Sequence, residues 1–388
     1  VHGGDLHGHV AAGFFVAGRS QFFQSYLMAF FYVLALAGGS LGFLMIHHLA
    51  GGRWGFCLQR PFEAAARTFP FLLVLFLPLL LGLQDLYVWI RPEAAQDHVL
   101  QQKAIYLNQT GFLARAGLYF VIWIGLSSLF SAWSRRQDAQ PGEAKALDLR
   151  LRKLSGIGLI VFGLSMTFAS FDWAMSIEPK WYSTIFGALF LVGQGLATMS
   201  LMSFVSYGLS RSDATYGRVT TSQQFHDIGN LMFAQTILWA YMSIGQYIII
   251  WSGNLPEEIE YYLHRGHGVW PFVALALAVF HFGVPFFLLL SKGNKKRPHV
   301  LIRIAALILV MRLVEYVWIV TPAFRHEHFY VHWMDVVAPV GLLGLWLYVF
   351  LGQLAARPLF PLNDPRFSHF LAHPEEKDTG WEADASDA

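Results

Sequence analysis

Between Leu154 and Phe186 the chain reads LSGIGLIVFGLSMTFASFDWAMS, then IEPKW, then YSTIF: an apolar run of membrane-crossing length, a short polar turn, and apolar sequence again. Inside a bilayer no water satisfies a backbone amide, so a segment about 20 apolar residues long crosses as a helix. Two such runs joined by a short turn specify a transmembrane helical hairpin. Asp172 lies near the end of the first arm, at a depth where an ionised carboxylate is penalised. Phe171, Trp173, Trp181 and Tyr182 surround the turn as interfacial aromatics do. A buried acid in that setting requires a proton or a partner.

The same pattern recurs along the chain. Apolar runs of spanning length fall at about 22–46, 69–90, 116–133, 154–177, 182–207, 229–251, 269–291, 300–321 and 332–355. Only 13% of the 388 residues are charged and 55% are hydrophobic, whereas a soluble domain carries about 25% charged residues. The fold class is therefore all-α, a polytopic transmembrane helix bundle. We expect an outer segment over 1–21, a first four-helix bundle over 22–177, a second over 182–321, a final transmembrane helix at 332–355 and a polar tail at 356–388. The chain begins at Val1, and VAAGFFVAG reads as the outer tail of a tenth, preceding helix.

Lysine and arginine distribute unevenly over the connections. Nineteen fall in 49–68, 134–153, 208–228, 292–303 and the tail, seven fall on the opposite side, and Arg312 stays within a span. The positive-inside rule then places the C-terminus in the cytoplasm and residue 1 outside. A formal net charge of +2, carried in these short loops, argues against nucleic-acid binding. Cys57 is the single cysteine, so the chain cannot hold a four-cysteine iron–sulfur cluster or a two-cysteine haem attachment. Of the 16 histidines only His281 is deep, where transmembrane haem takes two from facing helices. The outer group His326, Glu327, His328 and His332 has a spacing a metal could use, but histidines near an interface are commonly ligand-free, and His264 and His267 face the same side. We expect no haem, cluster or metal on this chain.

Ionisable groups at membrane depth are the candidates for chemistry. Asp85, Asp172, Arg312 and Glu315 all fall between the midplane and the outer face on three different segments, which predicts a shared polar pocket. Arg312 and Glu315, three apart on one helix, can pair directly; an ion pair that only fixes packing is the plainer reading. One arginine among three carboxylates predicts that at least one acid keeps its proton. Asp85 and Asp172 are also near enough to helix ends to reach the interface. His281 is read either as a packing residue or as a proton relay. From the cytoplasmic side His226, Asp227, Asn230, Gln235 and Gln194 line a potential polar path inward. Gly38, Gly39, Ser40, Ser165, Gly193 and Gly195 read as close helix-packing contacts.

The segments Asp172-Trp173-Ala174-Met175-Ser176-Ile177-Glu178-Pro179-Lys180-Trp181, Gly253-Asn254-Leu255-Pro256-Glu257-Glu258, Leu289-Leu290-Ser291-Lys292 and Met311-Arg312-Leu313 carry a resemblance. From about Phe22 to Phe360 the chain resembles the smaller of the two related membrane subunits of alternative complex III (the ActF type), a relative of the NrfD family of polysulfide-reductase membrane subunits. The resemblance implies two side-by-side four-helix bundles with flanking helices, ten spans in all. It implies a respiratory complex that oxidises quinol, quinone or menaquinone being the small molecule handled. The partners implied are a homologous NrfD-like quinol-binding subunit, an iron–sulfur subunit, haem-c subunits, small single-span subunits and a terminal oxidase, embedded in lipid. For this type of subunit the resemblance implies a proton route through Asp172, Arg312 and Glu315, with Asp85 added on depth alone. The rival within that complex is direct quinol binding beside Asp172 or Glu315. Outside it stand a purely structural anchor and a secondary transporter; the latter lacks the paired Gly/Pro-interrupted spans that mark transporter sites.

Overall fold

The computed structural model describes residues 18–325 and 330–364. Residues 1–17, 326–329 (with His326, Glu327 and His328) and the tail from 365 onward lie outside the described residues.

Among the described residues, eight helices are long and apolar enough to cross a bilayer. In chain order the helices are α1 (Arg19–Ala50), α2 (Arg53–Ala66), α3 (Phe69–Leu81), α4 (Gln109–Ala139), α5 (Ala144–Trp173), α6 (Phe186–Ser212), α7 (Ser222–Gly253), the short α8 (Pro256–Arg265), α9 (Trp270–Leu290), α10 (Pro298–Val320) and α11 (Met334–Ala355). The protein is an all-α polytopic membrane protein. The ninth expected span is α10, whose 23 residues are long enough at about 1.5 Å per residue. It carries three charged residues, Arg303, Arg312 and Glu315, within its apolar sequence.

The helix ends follow local rules. Thr221 and Gln224 form a capping box at the start of α7, the Asp97 and Asn108 side chains cap the turns before α4, and Asn254 closes α7 in the left-handed region at φ 47°. Within α9 the residues Leu277–Gly283 form a π-helical segment, a local widening that turns His281 inward.

Helix α1 is the core element. Over its most apolar stretch 94% of residues are buried, against 22% for α9, although α9 is the more hydrophobic by mean hydropathy, 2.4 against 2.0. It packs against α2, α3, α5, α6, α10 and α11, so helices from both expected bundles meet on it. Small residues permit the approach to α6. A Cβ on Gly39 would lie 2.5 Å from the Gln194 carbonyl oxygen, and one on Gly38 would lie 2.7 Å from Gln194 Oε1.

The stretch 49–68 differs from the expectation of a connecting loop. It is the helix α2, buried along almost its whole length and continuing the apolar stretch through α3. Its charges are neutralised inside: Arg60 binds Glu63 at 2.9 Å and Asp138 at 2.5 Å, and Arg357 reaches Glu63 at 3.1 Å. The chain after α11 is held there, because Asn363 and Leu362 hydrogen-bond the Gln137–Asp138 region.

Gly39→Ala is expected to lower stability by about 1–3 kcal/mol through overpacking of the α1–α6 contact. Gly163→Ala, at a helical glycine with nothing within 4 Å of an added Cβ, is expected to be neutral or stabilising by up to about 1 kcal/mol. Thermal unfolding of both variants in one detergent checks the contrast.

Candidate functional site

Four deep acids and their partners can be followed one at a time. Asp172 is fully buried and receives two parallel hydrogen bonds from Arg115, Nε to Oδ2 at 2.8 Å and Nη2 to Oδ1 at 2.9 Å. The Tyr119 hydroxyl donates to the same carboxylate at 2.7 Å, and the Arg115 guanidinium lies 4.0 Å from the centre of the Tyr106 ring. Arg115 and Tyr119 are one turn apart on α4, so one face of that helix presents both. Asp85 pairs instead with Arg19 at 2.9 Å, near the bundle surface. Asp335, a fourth acid, is held by Arg325 at 2.8 Å and by Ser25 at 2.6 Å.

Glu315 is 4% exposed. Its Oε1 accepts from Trp239 Nε1 at 2.8 Å and its Oε2 accepts from Arg312 Nη1. His281 Nε2 lies 3.4 Å from Oε2, longer than a well-formed hydrogen bond, and its ring packs edge-on against Trp239 with centroids 4.4 Å apart. Arg312 also donates to the Tyr316 hydroxyl at 3.2 Å. Gly193 of α6 makes room for the guanidinium, since a Cβ there would lie 2.5 Å from Arg312 Cζ.

These positions correct the expectation of one shared pocket. Arg312, Glu315 and His281 are brought together, but Asp172 and Asp85 each have their own arginine in other parts of the bundle. The premise of one arginine for three acids fails for the same reason, because the sequence gives no hint that Arg115 and Arg19 turn inward onto carboxylates. At the other end of α7, His226, Asp227, Gln223 and Asn230 form a hydrogen-bonded group, to which Lys295 donates at 2.7 Å through Asn230. Gln235 lies against Gly195, one turn before Trp239 on α7. Gln194 is fully buried, and neither of its amide atoms has a hydrogen-bond partner among the described residues.

The Glu315 cluster adjoins a large cavity. A space of about 680 Å³ lies between α7, α8, α9 and α10, with Glu315 and Trp239 in its wall and Phe186, Tyr261, Tyr262, Phe282 and Trp318 among its other lining residues. Its margin includes Ile244, Tyr247, Trp251 and Leu263, each about half exposed or more. In a membrane those apolar side chains face lipid, so the cavity opens laterally. Neither α8 nor Trp239, Gln246, Tyr261, Tyr262 and Arg265 was singled out by sequence reading. The available signal was the run PEEIEYYLHR, amphipathic and helix-length, inside what reads as a polar connection.

Beyond Tyr261 a second cavity of about 500 Å³ has the ionisable residues Arg91, Asp97, Glu178, Lys180, Glu260 and His264 in its lining. Glu178 accepts from His264 Nδ1 and from Arg265 Nη1, both at 2.8 Å, and Tyr261 stacks on Trp181 with centroids 4.0 Å apart. His332 Nδ1 accepts from the Met334 amide.

No family model matches this chain, and no curated protein matches it.

Removing Arg115 leaves a buried carboxylate without its cation, so Arg115→Met is expected to cost about 3–5 kcal/mol, and Arg115→Met with Asp172→Asn to recover much of it. Unfolding of both variants in detergent tests this. The hydrogen bond to Glu178 raises the His264 pKa above its ordinary value. Protonated His264 is thus favoured in the folded protein, and its stabilisation is present below the unfolded pKa and fades as pH rises through the folded one. The Tm difference between wild type and His264→Gln is expected to be larger at pH 5.5 than at pH 8.5.

Proposed function

We propose that the chain is an integral membrane subunit of a respiratory quinol oxidoreductase and that the cavity at Glu315 accepts the quinol head group. The observation that carries this reading is the pairing of a buried, ionisable carboxylate with a large aromatic cavity open to lipid. A quinol partitions into the bilayer through its tail and carries hydroxyls that must find acceptors once buried. The lateral opening between Ile244, Tyr247 and Trp251 suits the tail, and Glu315 suits a hydroxyl. A carboxylate has about four lone-pair sites, of which Trp239 and Arg312 use two.

Oxidation of a quinol releases two protons and two electrons. Glu315 would take a proton as general base, with Arg312 balancing the charge, and His281 beside it is placed to receive that proton next. The electrons need an acceptor outside this chain, because its one cysteine and the histidine pattern provide no redox centre. Iron–sulfur and haem-c subunits are the partners of that chemistry, in keeping with the sequence resemblance to alternative complex III and the NrfD family. On the positive-inside orientation the cavity lies towards the outer face of the bacterial inner membrane and the C-terminus towards the cytoplasm.

A second reading, a proton route, is favoured by one feature of α7. The group around His226 and Asp227, then Gln235, then Trp239 at Glu315 follow one another along this helix from the end that the charge distribution places in the cytoplasm. The buried amide of Gln194, without a hydrogen-bond partner among the described residues, lies on the neighbouring α6.

Glu315→Gln keeps size and polarity and removes the base. In membranes that hold the assembled complex, quinol oxidation is expected to fall by about 10²-fold or more while the amount of chain is unchanged. Undiminished turnover would overturn the proposal.

A further inference from the structure

The ion-paired group between α2, α4 and the chain after α11 leaves positive charge over. Arg60 donates to Glu63 and to Asp138, Arg357 donates to Glu63 at 3.1 Å and to Ser131 at 2.6 Å, and Ser134 donates to Glu63 at 2.7 Å. Both acids are thus taken by Arg60 and Arg357. Arg67 follows Glu63 by one turn and Arg135 follows Ser134 directly, so two further guanidinia flank the group, one at the end of α2 and one on α4. Arg135 is exposed. Arg67 is half-buried, and its Nη1 is shut off from solvent with no hydrogen-bond partner among the described residues. Burial, opposed by Glu63 and reinforced by the guanidinia of Arg67, Arg60 and Arg135, pushes the Arg357 pKa down to about 10, so these arginines stand within electrostatic reach of Arg357.

We infer that Arg67 and Arg135 hold the headgroup phosphate of an anionic phospholipid, with Arg357 adding to the field, and that the acyl chains of that lipid lie along α3.

The chemistry of the donors points to a phosphate. A buried donor on a charged group is costly to leave unpaired, and a guanidinium matches a phosphate with two parallel hydrogen bonds. The setting points to a lipid as its bearer. Arg357 comes just after the end of α11, at the end of the bundle that the charge distribution places in the cytoplasm, which is the headgroup level of the leaflet where basic pockets between helices take anionic lipids. From Arg67 towards the bilayer centre, Pro70, Val74, Leu77 and Leu81 recur at the spacing of one helix face, and the last three are each more than half exposed. A soluble anion has no use for that apolar stripe. A phospholipid covers both parts, its phosphate on the guanidinia and its chains on α3.

The test uses the full chain in detergent micelles carrying phosphatidylglycerol or phosphatidylcholine with identical acyl chains, and native mass spectrometry counts the lipid retained. Wild type is expected to hold phosphatidylglycerol about tenfold more tightly than phosphatidylcholine, the factor one charge-assisted hydrogen bond supplies. Arg67→Gln combined with Arg135→Gln is expected to remove that preference. Arg135→Gln alone, at an exposed side chain outside the Glu63 ion pairs, is expected to weaken it severalfold. Arg136→Gln removes the same charge from the next residue of α4, whose partner is Glu143 at 2.8 Å, and is expected to leave the preference unchanged. Equal retention of the two lipids by wild type, an undiminished preference in Arg135→Gln, or an equal loss in Arg136→Gln overturns the inference. Displacement of phosphatidylglycerol by millimolar inorganic phosphate gives the arginines to a soluble anion and overturns the lipid assignment.

Discussion

A carboxylate buried in a lipid-shielded bundle has to be matched by a cation or a set of donors, because neither water nor lipid will do so. Each of the deep acids here is matched locally. Asp172 has Arg115 and Tyr119, Asp335 has Arg325 and Ser25, Glu63 has Arg60 and Arg357, and Glu315 has Arg312 and Trp239. Those of Asp172 with Arg115 and Tyr119, of Asp335 with Ser25 and of Glu315 with Trp239 join different helices and so act as clasps. The Glu315 group is different in setting, since its carboxylate adjoins the large cavity.

The clasps are arranged around α1. At one end of that helix Gln21 and Ser25 engage Asp335 of α11, and Arg19 engages Asp85. Along its middle, glycines let α6 approach until only a hydrogen atom fits between them. The α6 glycine that accommodates Arg312, Gly193, is on the same helix as Gln194, which faces Gly38 of α1. Helix α6 thus packs on the central helix and on Arg312 through adjacent residues.

The cavity itself exists because three irregularities coincide. The π-helical segment of α9 swings His281 inward, α8 lies across the end of the bundle, and Asn254 turns the chain sharply between α7 and α8. Regular, fully packed helices would leave no such space. Tyr261, stacked on Trp181 and carrying Arg265 on its face, stands in the wall shared by this cavity and the one lined by Glu178 and His264.

The all-α membrane class, the pairing of Arg312 with Glu315 and the packing role of Gly38, Gly39 and Gly193 were legible in the sequence. They follow from run length, helical spacing and residue size, which are local properties. The partners of Asp172 and Asp85, the burial of α1 in place of the more hydrophobic α9, the helix at 53–66 and the cavity were decided only by tertiary structure. Hydropathy cannot separate a helix facing lipid from one facing protein, because both surroundings are apolar. Nor can the position of an arginine near a span end reveal whether it reaches water or a carboxylate 57 residues further along the chain, as Arg115 does. That choice depends on which helix faces are brought together, and a one-dimensional pattern does not carry it.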